Sequence, residues 1–153
     1  MHQRAISGAR GSSRAEARLE AVLLAHTDVL AARRSVLAIA PAPALFDTLE
    51  GLAQLDRHYA SAAWRADGLP GGGGFDVIVA DSRRAALLDR HAVLELTRML
   101  RPGGRLIVAV PPACAAMVRR RLGGEGHLVT LAAADEHTHV LVAVGGAAVL
   151  AAR

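Results

Sequence analysis

Two uninterrupted apolar runs, Phe75–Ala80 and Gly104–Val110, flank a segment of helical length in which Val93, Leu96 and Leu100 recur at i, i+3 and i+7. Arg101-Pro102-Gly103-Gly104 closes that segment, so the order is strand, helix, strand. Strands apolar on both faces belong to parallel sheets covered by helices, and a parallel pair needs a crossover of about a dozen residues. The pattern therefore predicts an α/β sheet.

The rest of the chain extends the alternation. Ser13-x-x-Glu16 reads as a capping box. Leu19, Val22, Leu23, His26, Val29 and Leu30 follow at helical spacing, which predicts a helix over 13–33. Ser35–Ala40 reads as a strand, Pro41-Ala42-Pro43 as a turn, and Ala44–Leu55 as a helix with Leu45, Leu49 and Leu52 on one face. Ser61–Ala66 is the next candidate strand, joined by Gly71–Gly74 to the run at Phe75. Beyond Pro111-Pro112, Ala113–Leu122 reads as a helix ending before Gly123-Gly124, with Arg119–Arg121 complementing its C-terminal dipole. His127–Ala132 and Thr138–Val144 then form two strands about a short connection, an antiparallel pair. Residues 1–12 read as a flexible tail and 13–153 as a single domain.

Composition narrows the function classes. At 52% hydrophobic the 153-residue chain is globular, and no apolar run is long enough to cross a membrane. No signal peptide is read at the N-terminus, and the single Cys114 excludes an internal disulfide, so the cytoplasm is expected. All eighteen basic residues are arginine, the net charge of +4 is dispersed, and the aromatics are scattered. A nucleic-acid surface needs a denser basic stripe with stacking platforms, so none is expected.

Few side chains suggest chemistry on their own. His137 and His139 would place two imidazoles on one face of a strand, a spacing metals use. Only Asp135 and Glu136 stand near as further ligands, and a solvated hairpin accounts for all four, so no metal is expected. Cys114 at a helix start lacks a placeable partner histidine, and His26 falls on an apolar stripe. Asp81-Ser82 ends its strand at the carboxyl edge of the sheet, where open α/β sheets bind ligands, and either residue also suits a helix cap.

The succession FDVIVAD, a helix ending in leucine, then LRPGGRLIVAV resembles the second half of the class I S-adenosylmethionine-dependent methyltransferase domain, and the closing antiparallel pair strengthens that resemblance. It implies a Rossmann-like, mostly parallel sheet with helices on both faces, and S-adenosylmethionine as cofactor. In that family an acid and a G-x-G-x-G loop follow the first strand. Aligned by strand end, Ala38 stands at the acid and Ala40, Ala42 and Ala44 at the glycines. Pro41 and Pro43 fix φ and lack an N–H. Two lost backbone features remove ~2–4 kcal/mol, roughly 30- to 1000-fold in affinity. Asp67, before Gly68-Leu69-Pro70, resembles the family's adenine-binding acid, and Asp81 and Ser82 fall on the loop that contacts cofactor or substrate. Pro41 to Gly74 has room for one crossover where the family has two strand–helix units, so one unit is missing. The expectation is a methyltransferase-like protein with an eroded cofactor site, acting as a binding or regulatory partner. The alternative is an active enzyme on a small molecule or peptide. Loss of an edge unit would bare a strand edge, which predicts a homodimer or a heteromeric partner.

Overall fold

The computed structural model describes residues 17–25, 34–52, 54–61, 74–82 and 90–144. Four helices and six strands are found among them. Helix α1 covers 17–25, strand β1 Ser35–Ile39, helix α2 Pro43–Glu50, β2 Asp56–Ala60, β3 Phe75–Asp81, α3 Arg90–Arg98, β4 Leu100–Val110, α4 Pro112–Gly124, β5 Leu128–Ala134 and β6 His139–Val144. The strands form one sheet in the order β2-β1-β3-β4-β6-β5. The first four are parallel, and β6 runs antiparallel to both β4 and β5. The mostly parallel sheet with a terminal antiparallel pair is the architecture expected from the apolar pattern. Fourteen residues, 61–74, separate β2 from β3, which is short for a further strand and its helix.

β1 and β3 are buried on both sides, which is why their sequences are continuous apolar runs. Leu37, Ile39, Ile78, Leu106 and Leu141 belong to one core cluster with Leu96 of α3, Met99 just after it, and Val118 and Leu122 of α4. Val36, Ala38, Val79, Ile107 and Val142 belong to a second cluster with Leu19, Leu23, Leu45 and Leu49 of α1 and α2. The alternation of residues between the two clusters is the period-2 signature of a strand sandwiched between helical layers. Both α2 and α4 start with a proline at a first-turn position, where the missing N–H has no intrahelical use.

Several boundaries differ from the pattern, each for a local reason. β2 is Asp56–Ala60 and not Ser61–Ala66; Ser61 lies just past it, and 62–66 fall outside the described residues. Asp56 is thus the first residue of β2. α2 stops at Glu50 because Arg57 reaches back from β2, its Nη1 donating to the carbonyls of Leu49, Glu50 and Leu52 at 3.0–3.2 Å. Leu49 O also accepts from Leu52 N and Leu52 O from Leu55 N, so Arg57 is an added donor to both, and its shortest contact is to Glu50 O, the last carbonyl of the helix. α4 runs through Gly124 and not only to Leu122. It ends in a Schellman motif in which His127 N donates to Leu122 O and Gly126 N to Gly123 O, with Gly126 at φ +86°. β4 begins at Leu100, so the Pro-Gly-Gly turn is a bulge inside the strand, opposite the register shift between Phe75 and Val77 of β3. His137 sits in the β5–β6 turn, not on a strand, so it does not share a strand face with His139.

Asp76 shows what the Phe-Asp motif does at the amino edge of the sheet. Its Oδ2 accepts from Ser35 N and from Arg101 Nη1, both at 2.9 Å, and Arg34 lies 3.8 Å from Oδ1. One carboxylate thereby ties the start of β1 to the bulge in β4.

Candidate functional site

The sheet reverses its winding direction between β1 and β3, and the carboxyl ends of these two strands form the place where such sheets bind ligands. Ala40, the first residue after β1, is held by a hydrogen bond from its N–H to Ala60 O at 2.8 Å and adopts φ +45°. It is the one non-glycine residue with positive φ among the described residues. That conformation favours glycine, so the backbone retains a glycine-like shape although alanine occupies it.

Ile39, Ala40, Pro41 and Ala42 form one wall of a crevice whose other wall is Ala80 and Asp81 of β3. Leu19 of α1 and Leu45 of α2 also line it, Leu19 being only 3% exposed. The free volume left is about 10 Å³, near the minimum that one water molecule requires.

The predicted site residues separate in this frame. Ala40, Ala42 and Asp81 converge on the crevice. Ala38 does not. It sits one pair before the strand end, between Tyr59 and Val79, wholly buried in the core on the α1–α2 side. Ala44 faces outward from the first turn of α2. Asp81 is buried and pairs with Ala109 of β4. Ser82 N donates to Ala109 O at 2.9 Å, while its Oγ is buried without a hydrogen-bond partner. The helix cap predicted for Asp81-Ser82 involves 83–89, outside the described residues, as do Asp67, His26 and the Ser13–Glu16 capping box.

The carboxyl end of β2 carries Ala60 and Ser61, with no acid there; Asp56 is at the opposite end of that strand. Instead β2 presents Tyr59, whose hydroxyl donates to Glu50 Oε1 at 2.7 Å and whose ring lies 4.9 Å from that of Phe46. Burial, reinforced by the Glu50 carboxylate, pushes the Tyr59 phenol up to about 12.

The same edge carries a second concavity, which the sequence pattern did not reveal. Ala17, Arg18 and Ala21 of α1 face the β5–β6 turn residues Asp135, Glu136 and His137 across a groove of about 620 Å³. Asp135 Oδ1 accepts from the backbone N–H groups of His137 and Thr138, both at 2.7 Å, and Oδ2 meets Arg18 Nε at 2.6 Å. The turn's N–H donors hold the Asp135 carboxyl below its usual range, and Arg18 adds to the effect. No group of three or more metal-ligating side chains occurs among the described residues, nor any helix long and apolar enough to cross a membrane.

No family model and no curated protein matches the chain in sequence. Solved structures match it in fold. The N-methyltransferase NodS from Bradyrhizobium japonicum WM9, in complex with S-adenosyl-L-homocysteine, superposes with a TM-score of 0.59 at 18% identity, over 88% of this chain and 87% of that one. The antibiotic-resistance methyltransferase Kmr gives 0.55 at 12% identity, over 81% and 93% of the two chains. Precorrin-6y C5,15-methyltransferase from Geobacter metallireducens GS-15 gives 0.53 at 11%, over 74% and 80%. The strand order, the closing antiparallel pair and these superpositions agree: the chain has the Rossmann-like fold of the class I S-adenosylmethionine-dependent methyltransferases.

Proposed function

We propose that this is a methyltransferase-like protein whose S-adenosylmethionine site is eroded and which works as a non-catalytic binding or regulatory partner. The observation that carries this reading is the crevice at the ends of β1 and β3. With Leu19 and Leu45 among its walls, the crevice holds about 10 Å³, whereas pockets for drug-sized ligands hold roughly 300–1,000 Å³. The residues present do not fit the cofactor in two further respects. Pro41 and Pro43 withdraw N–H donors from the loop, and Ala60-Ser61 offers no carboxylate at the end of β2.

A partner in the cytoplasm completes this reading. β5, the outer strand of the antiparallel pair, carries no charged residue over Leu128–Ala134 and leaves Leu128 and Leu131 exposed. Soluble proteins usually protect such an edge. The single cysteine suits a reducing compartment. Neither a metal ion nor a nucleic acid has a role in this reading.

A second reading, an active methyltransferase on a small molecule or peptide, is favoured by one observation: Ala40 keeps the left-handed backbone that a glycine loop would use. Calorimetric titration with S-adenosylmethionine and S-adenosylhomocysteine separates the two. The eroded site predicts no heat of binding at micromolar ligand, and clear micromolar affinity establishes the second reading instead. Sedimentation of the same samples tests the partner: a homodimer supports self-association, and a strict monomer at micromolar concentration refutes it.

A further inference from the structure

We infer that the groove between α1 and the β5–β6 turn binds a small zwitterion, its carboxylate on the Arg18 guanidinium and its ammonium end toward Glu136. The inference depends on neither cofactor binding nor catalysis.

Arg18 is presented as an anion receptor by the way it is held. Its Nε meets Asp135 Oδ2, and among the described residues its terminal nitrogens have no other partner. Asp135 cannot swing away to take both ends of the guanidinium, because Oδ1 is occupied by His137 N and Thr138 N, while Asp135 N donates to Thr138 O at 2.9 Å. The turn therefore fixes the guanidinium from one side and leaves the Nη pair, a fork matched to a carboxylate, for a ligand. Arg18 remains 40% exposed, so those nitrogens are reachable.

The opposite charge in the groove belongs to Glu136, which is exposed and next in sequence to the locked Asp135. Asp135 is neutralised by Arg18 and by the two N–H donors, whereas Glu136 has no such compensation among the described residues. A simple anion would gain at the Arg18 Nη pair and be repelled by Glu136, while a simple cation would gain at Glu136 and leave the Nη donors unused. A ligand carrying both charges gains at both. The volume of about 620 Å³ admits a molecule well beyond amino-acid size, and small Ala17 and Ala21 leave the α1 wall open.

The test is amide chemical-shift titration of the ¹⁵N-labelled full chain with 4-aminobutyrate, glycine, acetate and methylammonium, at constant ionic strength set with sodium chloride. The expected result is saturable shifts at 17–21 and 135–138, with one of the two zwitterions binding about tenfold more tightly than acetate or methylammonium. Arg18→Gln lowers that affinity about tenfold. Since this change also disturbs the turn, Glu136→Gln is the companion: it leaves the Arg18–Asp135 pair in place and brings the zwitterion down to the affinity of acetate. Acetate binding as tightly as both zwitterions to the unmodified protein overturns the inference. So does the absence of saturable shifts in the groove, or a Glu136→Gln protein that keeps its preference.

Discussion

The bulge in β4 makes a quantitative demand on Gly104. A Cβ built there would lie 2.8 Å from Arg101 O, 3.0 Å from Phe75 O and 3.2 Å from Arg101 N. All three are backbone atoms, so no side chain can rotate away. Two belong to the bulge itself and one to β3, whose Phe75 N donates to Met99 O at 2.8 Å. Relief requires β3 and β4 to part just where Asp76 and Arg101 join them. Overpacking of this kind costs about 1–3 kcal/mol when neighbours can adjust, and here they are pinned, so Gly104→Ala is expected to lose about 2–3 kcal/mol. For a chain of this size that lowers the melting midpoint by roughly 4–12 °C. Gly123→Ala is the control. It lies in helix α4 with nothing within 4 Å of a built Cβ, and alanine there should gain about 0.5–1 kcal/mol through helix propensity. Urea denaturation followed by far-ultraviolet circular dichroism measures both. A Gly104→Ala protein within about 0.5 kcal/mol of wild type, the usual scatter of surface substitutions, would refute the packing argument, as would equal losses at both positions.

Two further outcomes follow from particular contacts. Asp76→Ala should cost about 2–3 kcal/mol in the same denaturation, because it strands the N–H of buried Ser35 and releases Arg101; a neutral result would mean that the β1–β4 tie contributes nothing. Tyr59 has its phenol raised to about 12 when folded against about 10 when unfolded, so the folded state holds the proton more tightly and the stabilisation, complete below pH 10, disappears as pH rises toward 12. The chain has no lysine and one tyrosine, so the difference between wild type and Tyr59→Phe reports this group: urea midpoints at pH 9 and pH 11.5 should fall less in Tyr59→Phe than in wild type, and parallel declines would contradict the assignment.

The elements legible in the sequence are those whose burial is uniform. β1, β3 and β6 announce themselves because both faces are covered, leaving no polar position to interrupt the run. β2, Asp-Arg-His-Tyr-Ala, was not legible, because its side chains are only partly buried and its strand character depends on partners elsewhere: Arg57 on the end of α2, and Tyr59 on Glu50 and Phe46. The start of β4 was misread for a related reason. Proline and two glycines usually end an element, but Gly103 at φ +80° and Gly104 in its confined space let the strand absorb them as a bulge. Local composition could supply the turn signal, not the knowledge that a neighbouring strand would accommodate it.

The candidate site divides along the same line. Alignment by strand end brought Ala40, Ala42 and Asp81 to one crevice because a parallel strand delivers its carboxyl-terminal residues to a common edge whatever their identity. It failed at Ala38 and Ala44, where one step along a strand or helix turns the side chain to another surface. That Leu19 lines the crevice could not be read from the loop at all, because it lies sixteen residues upstream of β1 in a helix whose apolar stripe looks like any core-facing stripe. Its neighbour Arg18 is equally anonymous in sequence until the β5–β6 turn supplies Asp135 from 117 positions away. Consecutive residues of α1 thus line both concavities, Leu19 the crevice at the strand ends and Arg18 the wide groove. The shape of this edge is therefore set not only by the loop after β1 but also by the helix that lines both concavities.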